Sequence, residues 1–352
     1  MMQKIELYSR ENVSGNPPNL LVEFKLDSFF VRLYDSLKRG RVSFIIFFAN
    51  ILKNIICIFI YIFMIDIFAT VYVINIANAL QYMLQKSNIQ TTVNIRAITN
   101  ADIKSCTTNP SKYMFLLCPQ WVYPPNINSL PRNKYFVYQL EQFDRSESKH
   151  IHNQYVYNLL RNALHIFEYS KVNLTYYEKP QMRIPTNKVT YLMPPVVQID
   201  NIQKTVKDID VLFCGSINQR RAAIFDSLQQ NGIKLTVLHN KFGNELQSSI
   251  KRAKIFLNLR FSDSKILETC RLHEAITSDS TFIVSEEPET PLDDISIYGT
   301  RIHFVKKNDL DSLIKKLKNI LQFYHKSPPF VFDLKNINDV TSEKLISLIS
   351  NK

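Results

Sequence analysis

Short apolar runs and helical stretches alternate along most of this 352-residue chain, from about Ala69 to Leu321. The runs are rich in β-branched and aromatic residues, as strands are, and the stretches between them have helical spacing of their apolar positions. This alternation predicts an α/β fold, in which helices on both faces of a sheet connect parallel strands. The predicted strands of the first half are TVYVIN, TTVNIRAI, KYMFLLC, KYFVYQLE, HIFEYS and VTYLMPPV.

The alternation is interrupted once, by Pro194-Pro195 and a polar link from Asp200 to Lys207. It restarts with the predicted strands IDVLFCGS, KLTVLH, KIFLNLRF, TFIVSEE and RIHFV. We therefore predict two doubly wound, Rossmann-like domains over residues 69–200 and 201–335, followed by a C-terminal helix over 336–352. Open parallel sheets bind ligands beyond the carboxyl ends of their strands, so the expected site is a cleft that the two domains face.

Residues 1–68 precede this alternation and are predicted to form an apolar N-terminal extension. The segment 43–65 within it, SFIIFFANILKNIICIFIYIFMI, is long enough to cross a bilayer, which takes about 20 residues. The basic cluster from Lys38 to Arg41 before it is typical of a cytoplasmic flank. Two interpretations stay open: a single-pass membrane anchor, or a buried helix or first strands of a parallel sheet. The expected location is accordingly the membrane, or otherwise the cytoplasm.

The net charge of +12 is compatible with an anionic partner, but the basic residues are scattered. The dense basic runs are not interleaved with aromatic residues, so nucleic acid is not an expected partner. The five cysteines form no CxxC pair, which argues against a disulfide framework and a zinc site. Asp208 and Asp210 mimic a DxD metal motif, but they precede a predicted strand instead of following one. No metal and no cofactor are expected.

The segment VLFCGSINQRR joins a predicted strand to a predicted helix through Gly215 and Ser216. A glycine lets backbone approach a ligand, and the free N–H groups of a helix N-terminus favour an anion. Arg220 and Arg221 add guanidinium groups that match phosphate oxygens. The segment favours a diphosphate site, and a capped surface helix with basic residues is the alternative. No GxGxxG or GxxxxGK[ST] motif occurs, which argues against nicotinamide or flavin oxidoreductases and against P-loop hydrolases.

A late predicted helix carries Glu268, Arg271 and Glu274 at three-residue steps. Such steps place three side chains on one slanting stripe of a helix. A carboxylate can accept from both hydroxyls of a ribose, and a guanidinium one turn earlier can meet phosphates, so the pair suits one nucleotide ligand. Local ion pairs on a solvated face are the alternative.

Several of these segments resemble the donor-binding domain of two-domain GT-B glycosyltransferases, in particular the family-one-like proteins of large DNA viruses and bacteria. They are VLFCGSINQRR, KIFLNLRFSDSKILETCRLHEAI and FIVSEE, and KYMFLLCPQWV, KYFVYQLEQ and IFEYSKVN resemble acceptor-side segments of the same group. The resemblance implies two facing Rossmann-like domains, a nucleotide-diphosphate sugar as donor substrate, and no obligatory metal. It also implies a hexosyltransferase, and a viral protein in its host cell.

In this resemblance Glu274 matches the glutamate that holds the donor ribose, Arg271 the basic residue near the diphosphate, and Gly215 the close-approach glycine. Five residues separate Glu268 from Glu274, where many retaining members have seven, so the stereochemical outcome is not carried over. The full predicted donor site is Gly215, Ser216, Arg220, Arg221, Asn258, Arg260, Glu268, Arg271 and Glu274.

Sugar transfer requires stabilisation of the leaving diphosphate and deprotonation of the acceptor hydroxyl. The predicted catalytic residues are Arg221 and Arg271 for the first task and Glu141, at the end of KYFVYQLEQ, for the second. His150 and His152 are alternative bases. The predicted acceptor-side residues, which lie near strand ends of the first domain, are Gln142, Tyr169, Ser170 and Asn173.

The predicted function is a glycosyltransferase that moves a sugar from a nucleotide-diphosphate donor to a glycan, lipid or protein acceptor. The alternative is a catalytically inactive GT-B-like binding protein or a membrane-tethered scaffold. Such a protein would keep the α/β pattern but would not turn over a donor.

Overall fold

Two parallel β-sheets organise the computed structural model, which describes residues 63–124, 130–145, 151–196, 205–278, 281–292, 295–300, 302–326 and 335–350. We call residues 63–196 the first lobe and residues 205–326 the second lobe. The strands of the first lobe are β1 Met64–Ala69, β2 Gln90–Ile95, β3 Lys112–Leu117, β4 Tyr135–Gln139, β5 His165–Glu168 and β6 Val189–Tyr191. Those of the second lobe are β7 Ile209–Cys214, β8 Leu235–Leu238, β9 Ala253–Asn258, β10 Phe282–Glu286 and β11 Ile302–Val305.

Helices connect these strands and extend beyond the second sheet. The helices of the first lobe are α1 Ile74–Lys86, α2 Asn100–Thr108, α3 Pro119–Val122, α4 Gln154–Asn162 and α5 Lys171–Tyr177. Those that follow are α6 Gln219–Gln230, α7 Gly243–Arg252, α8 Thr269–Ile276, α9 Leu310–Phe323 and α10 Lys335–Ser350. Short 3₁₀ turns lie at Val71–Val73, Thr186–Lys188, Ser296–Tyr298 and Tyr324–Lys326.

The strand order is β2-β1-β3-β4-β5-β6 in the first sheet and β8-β7-β9-β10-β11 in the second. All neighbouring strands pair in parallel. In each sheet the chain moves outward by one strand and then returns past its starting strand, so the order reverses between β1 and β3 and between β7 and β9. The predicted α/β class with two doubly wound sheets is confirmed. Ligand sites of such sheets lie at these reversal points, beyond the carboxyl ends of the strands.

Each sheet is covered on both faces. Successive β3 residues alternate between two apolar clusters, with Phe115 and Leu117 in one and Met114 and Leu116 in the other. Residues of α1 and α10 cover the first of these clusters, and residues of α2 and α4 cover the second. In the second lobe α7 and α8 cover one face and α6 and α9 the other. Burial on both faces explains why the strands are almost continuously apolar in sequence.

The first sheet begins earlier than the sequence predicts. The segment MIDIFA, residues 64–69, forms β1 at an inner position of the sheet, and TVYVIN forms a 3₁₀ turn and the start of α1. Val71 and Tyr72 are 41% and 63% exposed, which is incompatible with an inner strand. The predicted extension over residues 1–68 is therefore wrong for residues 64–68, and residues 1–62 lie outside the described part.

The predicted membrane segment 43–65 overlaps β1 at Met64 and Ile65, and most of it lies outside the described residues. Within the described ranges, no helix has both the length and the apolar character that a bilayer span requires.

Helix α10 belongs to the core of the first lobe. Leu345 and Ile349 are fully buried in the apolar cluster that includes α1 and β1. The Asn338 side chain bonds both backbone groups of Val196, accepting from its N–H at 2.9 Å and donating to its carbonyl at 2.8 Å. The chain thus returns from the second lobe to the first. The predicted boundary near residue 200 falls within 197–204, outside the described residues.

Candidate active site

The carboxyl ends of the two sheets face one another across a cavity of about 290 Å³. Loops that follow β4 and β5 contribute residues from the first lobe, and the loop after β7 and helix α8 contribute residues from the second. Seven predicted site residues line this cavity: Glu141, Gln142, Tyr169, Gly215, Glu268, Arg271 and Glu274. The structure therefore brings the centre of the predicted site together, although the residues were chosen from four separate segments.

Gly215 and Arg271 are packed against each other. Gly215 follows β7 with φ +141°, a conformation that L side chains rarely adopt, and a Cβ there would lie 2.9 Å from Nη1 of Arg271. That Nη1 donates to the Cys214 carbonyl at 3.0 Å, and Nε lies 3.2 Å from Glu268 Oε2. Nη2 makes no hydrogen bond to a described residue. The glycine therefore allows the guanidinium to lie over the strand end with one amino group available to a ligand.

Glu274 lies where the two lobes meet. Its Oε2 accepts hydrogen bonds from Nε2 of Gln247 at 2.9 Å and from Nδ2 of Asn75. Gln247 belongs to α7, whereas Asn75 belongs to α1 in the first lobe. Burial raises the pKa of Glu274, and the two amide hydrogen bonds oppose that rise. The prediction did not include Asn75 or Gln247, because sequence spacing carries no signal for amides that approach from distant helices.

Arg221 is not a ligand-facing residue, which corrects its predicted catalytic role. The side chain is fully buried between the rings of Phe213 and Phe261, at 4.9 and 5.1 Å from their centroids. Nη1 donates to the Ser216 carbonyl at 2.7 Å, and Nη2 donates to the Leu259 carbonyl. Burial, with the charge of Arg271 nearby, lowers its pKa to about 10. Arg221 therefore ties the turn after β7 to the end of β9.

Arg220 and Arg260 are also committed to the protein, and neither lines the 290 Å³ cavity. Glu286, at the end of β10, accepts from Nη2 of Arg220 and, at 2.8 Å, from the Arg260 backbone N–H. Arg260 is buried, and its Nη1 donates to the Ser264 carbonyl at 2.7 Å. Arg220 also donates from Nε to Asn308 at 3.0 Å. The prediction did not include Glu286, although a glutamate that ends an apolar strand is a signal for a buried ion pair.

Two further predicted donor residues lie away from the cavity. Asn258 is buried between β9 and β10, where its Nδ2 donates to Ser285 Oγ at 3.0 Å. Ser216 is exposed in the turn before α6, and its contribution to the fold is the carbonyl that Arg221 binds.

On the first lobe, Glu141 reaches the cavity from the loop after β4. Its Oε1 accepts from Nε1 of Trp121 at 3.1 Å. Asn173 holds this loop, because its Nδ2 donates to the Glu141 carbonyl at 2.7 Å and its Oδ1 accepts from the Phe143 N–H at 2.9 Å. Asn173 is fully buried, and Ser170 is a buried cap of α5. The prediction that these two residues face the acceptor is therefore wrong, since Asn173 supports the loop from behind and Ser170 caps a helix.

Glu168, which the prediction did not include, is a buried carboxylate behind the Glu141 loop. Its Oε1 accepts from the Ser170 N–H at 3.0 Å and from Nδ2 of Asn173 at 2.9 Å. Its Oε2 lies 2.8 Å from the Tyr177 hydroxyl. Burial raises the pKa of Glu168 to about 8. The signal in the sequence is a single glutamate inside the apolar run HIFEYS.

The alternative bases and the DxD-like pair have other partners. Nε2 of His152 lies 2.7 Å from the Phe143 carbonyl, so this ring braces the same loop. His150 lies outside the described residues. Asp208 pairs with Arg252, and Asp210 pairs with Lys254, each at 2.5 Å.

Comparison with known proteins gives distant relatives, and no protein-family model matches. Three uncharacterized proteins of Acanthamoeba polyphaga mimivirus are similar in sequence. The first is 27% identical over 138 residues, which is 37% of this chain and 16% of the relative. The second is 24% identical over 199 residues, which is 54% of this chain and 25% of the relative. The third is 33% identical over 63 residues, which is 18% of this chain and 21% of the relative. The chain spans a quarter or less of these relatives.

Among solved structures, Anabaena HepE in complex with UDP and glucose matches with a TM-score of 0.46 and 11% identity, covering 81% of this chain and 100% of that chain. The DNA-modifying enzyme β-glucosyltransferase, studied with and without uridine diphosphoglucose, matches with a TM-score of 0.45 and 12% identity, covering 82% and 99%. TarM matches with a TM-score of 0.42 and 11% identity, covering 68% and 54%. All three TM-scores lie below 0.5.

Proposed function

We propose that this chain is a GT-B glycosyltransferase that uses a nucleotide-diphosphate sugar as donor. One observation carries the proposal: Arg271 and Glu274, one turn apart on α8, line a single cavity at the carboxyl ends of both sheets. Guanidinium groups bind phosphates, and carboxylates accept from paired hydroxyls. The resemblance of the segments around these residues to GT-B donor sites supports the same ligand.

In the proposed reaction Arg271 binds the diphosphate, and Glu274 accepts from the ribose hydroxyls. The bond between the anomeric carbon and the diphosphate oxygen breaks, and a bond to the acceptor oxygen forms. The guanidinium stabilises the charge that develops on the leaving diphosphate. Gly215 supports this role because it lets Arg271 lie against the backbone at the end of β7.

Glu141 is the proposed base that takes the proton of the acceptor hydroxyl. Trp121 donates to Oε1 of Glu141. Oε2 of Glu141 accepts no hydrogen bond from a described residue, so it is available to the acceptor hydroxyl. Gln142 and Tyr169 lie on the same wall of the cavity and are the proposed acceptor-side contacts. Whether the acceptor is a glycan, a lipid or a protein, and whether the chain acts at a membrane, stay predictions from the sequence.

The first test compares donor binding by the wild-type chain, Glu274→Gln and the control Glu178→Gln, whose side chain is exposed in the first lobe away from the cavity. A panel of UDP-, GDP-, ADP- and CDP-sugars is titrated by calorimetry, and release of nucleoside diphosphate is followed by chromatography. Loss of hydrogen bonds to a charged group weakens binding by about tenfold or more, so Glu274→Gln is expected to lose affinity and turnover together.

The control is expected to match the wild type. If the wild type binds none of the panel, or if Glu274→Gln binds donor as the wild type does, the proposed function is wrong. Binding without any release of nucleoside diphosphate, alone or with a panel of sugar, lipid and peptide acceptors, would favour the inactive binding protein.

A further inference from the structure

A second cavity of about 540 Å³ adjoins the candidate active site. Its walls include Asp144 and Arg145 from the first lobe and Asn218, Gln219 and Phe261 from the second. Arg145 lines this cavity and the 290 Å³ cavity as well, so it lies at their junction. Ligand pockets usually enclose about 300–1,000 Å³, and a nucleotide-diphosphate sugar therefore needs more than the smaller cavity alone.

The Arg145 guanidinium makes no hydrogen bond or ion pair to a described residue. The guanidinium lies near the Phe261 ring, whose centroid is 6.0 Å from Cζ. The other cations near the cavities are engaged: Arg220 with Glu286, Lys241 with Glu245, and Arg271 with Glu268. Toward the described residues, Arg145 thus has five uncommitted N–H donors in a geometry suited to a phosphate.

Hydrogen bonds to both lobes hold the two residues that precede Arg145. Asp144 accepts from Ser264 Oγ at 2.7 Å and from the Lys265 N–H at 2.5 Å, both in the second lobe. The preceding Phe143 N–H donates to Asn173 in the first lobe. Both Asp144 oxygens accept hydrogen bonds from neutral donors of the second lobe, and the carboxylate makes no ion pair with Arg145. The cation is therefore held between the lobes and is not paired with its neighbour.

The same cavity also receives the N-terminus of α6, a 12-residue helix that begins at Gln219. The unpaired N–H groups of a helix N-terminus and its dipole favour an anion. A guanidinium from one lobe and a helix start from the other thus favour an anion at this cavity. Two carboxylates, Asp144 and Asp263, also line it, and Asp263 is paired with Lys307 at 3.0 Å.

We propose that Arg145 binds the diphosphate of the donor from the first lobe, at the junction of the two cavities. This inference rests on the proposed function and adds to it a diphosphate contact from the first lobe. Arg271 contacts the diphosphate from α8, and Arg145 contacts it from the opposite wall, so bound donor joins the two lobes.

The test uses the full chain, the variants Arg145→Gln and Arg145→Lys, and the control Arg132→Gln, whose side chain is exposed in the first lobe and lines neither cavity. The probes are the nucleoside diphosphate that the wild type binds best among UDP, GDP, ADP and CDP, and the matching nucleoside without phosphates. Calorimetry gives both affinities, and circular dichroism checks that each variant is folded.

Arg145→Gln is expected to weaken diphosphate binding about ten- to a hundredfold and to leave nucleoside binding unchanged. Arg145→Lys is expected to restore part of the affinity because it keeps the charge but not the bidentate geometry. Equal diphosphate affinity in Arg145→Gln and wild type overturns the inference and leaves the proposed function in place. An equal loss for the nucleoside also overturns it. A wild type that binds no nucleoside diphosphate overturns the proposed function itself.

Discussion

Burial among neutral hydrogen-bond partners determines the protonation state of Glu168. Its contacts are the Ser170 N–H, the Asn173 amide and the Tyr177 hydroxyl, and none of them carries a compensating positive charge. A carboxylate in such surroundings holds its proton, and the pKa of about 8 follows from that desolvation. Near neutral pH the folded chain therefore carries Glu168 largely in the protonated form.

This titration predicts how the free energy of unfolding depends on pH. In the unfolded chain a glutamate loses its proton near pH 4.3, whereas folded Glu168 keeps it up to about pH 8. Between these values the folded state binds one proton more, so stability falls as pH rises, by about 1.4 kcal/mol per pH unit, and the contribution levels off above pH 8. Glu168→Gln copies the protonated form and is expected to remove this slope.

Urea denaturation of wild type, Glu168→Gln and Glu178→Gln at pH 5, 6, 7 and 8 measures the effect. The exposed Glu178 serves as the control and is expected to leave the wild-type slope intact. Identical pH slopes for wild type and Glu168→Gln would contradict a protonated Glu168.

Some residues of the predicted site line the cavity, and others lie elsewhere for a physical reason. Arg271 and Glu274 could be predicted, because their helical spacing places them on one stripe. Arg220 and Arg221 are adjacent in sequence, and nothing local shows that Phe213 and Phe261 enclose the second of them. Burial of a charge is decided by distant residues, so a run of arginines alone does not identify the one that meets a ligand.

At the scale of elements, the backbone conformation of the turn between β7 and α6 determines where Arg271 can lie. Gly215→Ala places a methyl group 2.9 Å from Nη1 of Arg271 and strains the backbone at φ +141°. The matched control is Gly232→Ala, at φ +76°, where a Cβ meets no atom within 4 Å. Both variants are expected to lose about 1–3 kcal/mol of unfolding free energy from backbone strain.

Gly215→Ala alone is expected to displace Arg271 and to weaken binding of nucleoside diphosphate by about tenfold. Urea denaturation and calorimetry on the two variants separate these effects. Equal diphosphate affinities for the two alanine variants would show that Arg271 does not depend on the close approach at Gly215.

Most strands could be predicted from composition, and the exceptions have local causes. The segment TVYVIN has strand composition, but MIDIFA already completes the inner strand and the crossover to β2 must begin there. The prediction also lacks α2, whose residues are mostly polar. Its start was recognisable, because Thr99 and Asp102 form a capping box in which Asp102 accepts from the Thr99 N–H at 2.8 Å.

At the scale of the whole molecule, α10 links the end of the chain to the first lobe. Leu345 is fully buried against α1 and β1 residues, so Leu345→Ala removes core contacts far from it in sequence. The expected loss is about 2–5 kcal/mol of unfolding free energy. Ser347→Ala, at an exposed position of the same helix, is the control and is expected to change stability little.

Urea denaturation of the two variants measures this difference. Losses of equal size at Leu345 and Ser347 would show that α10 is not part of the first-lobe core. The sequence could predict this helix but not its place, because its apolar stripe does not identify the lobe on which it packs.

The hydrogen bond from Asn75 to Glu274 has a consequence for the whole molecule. A ligand hydroxyl that bonds Oε2 of Glu274 competes with an amide from the opposite lobe, so ligand binding at Oε2 and this contact between the lobes are thermodynamically linked. This linkage is reciprocal. Ligand bound at Oε2 weakens the Asn75–Glu274 contact by a certain factor, and loss of that contact raises the affinity for the ligand by the same factor. The Asn75 side chain thereby makes the contact between the two lobes depend on ligand binding.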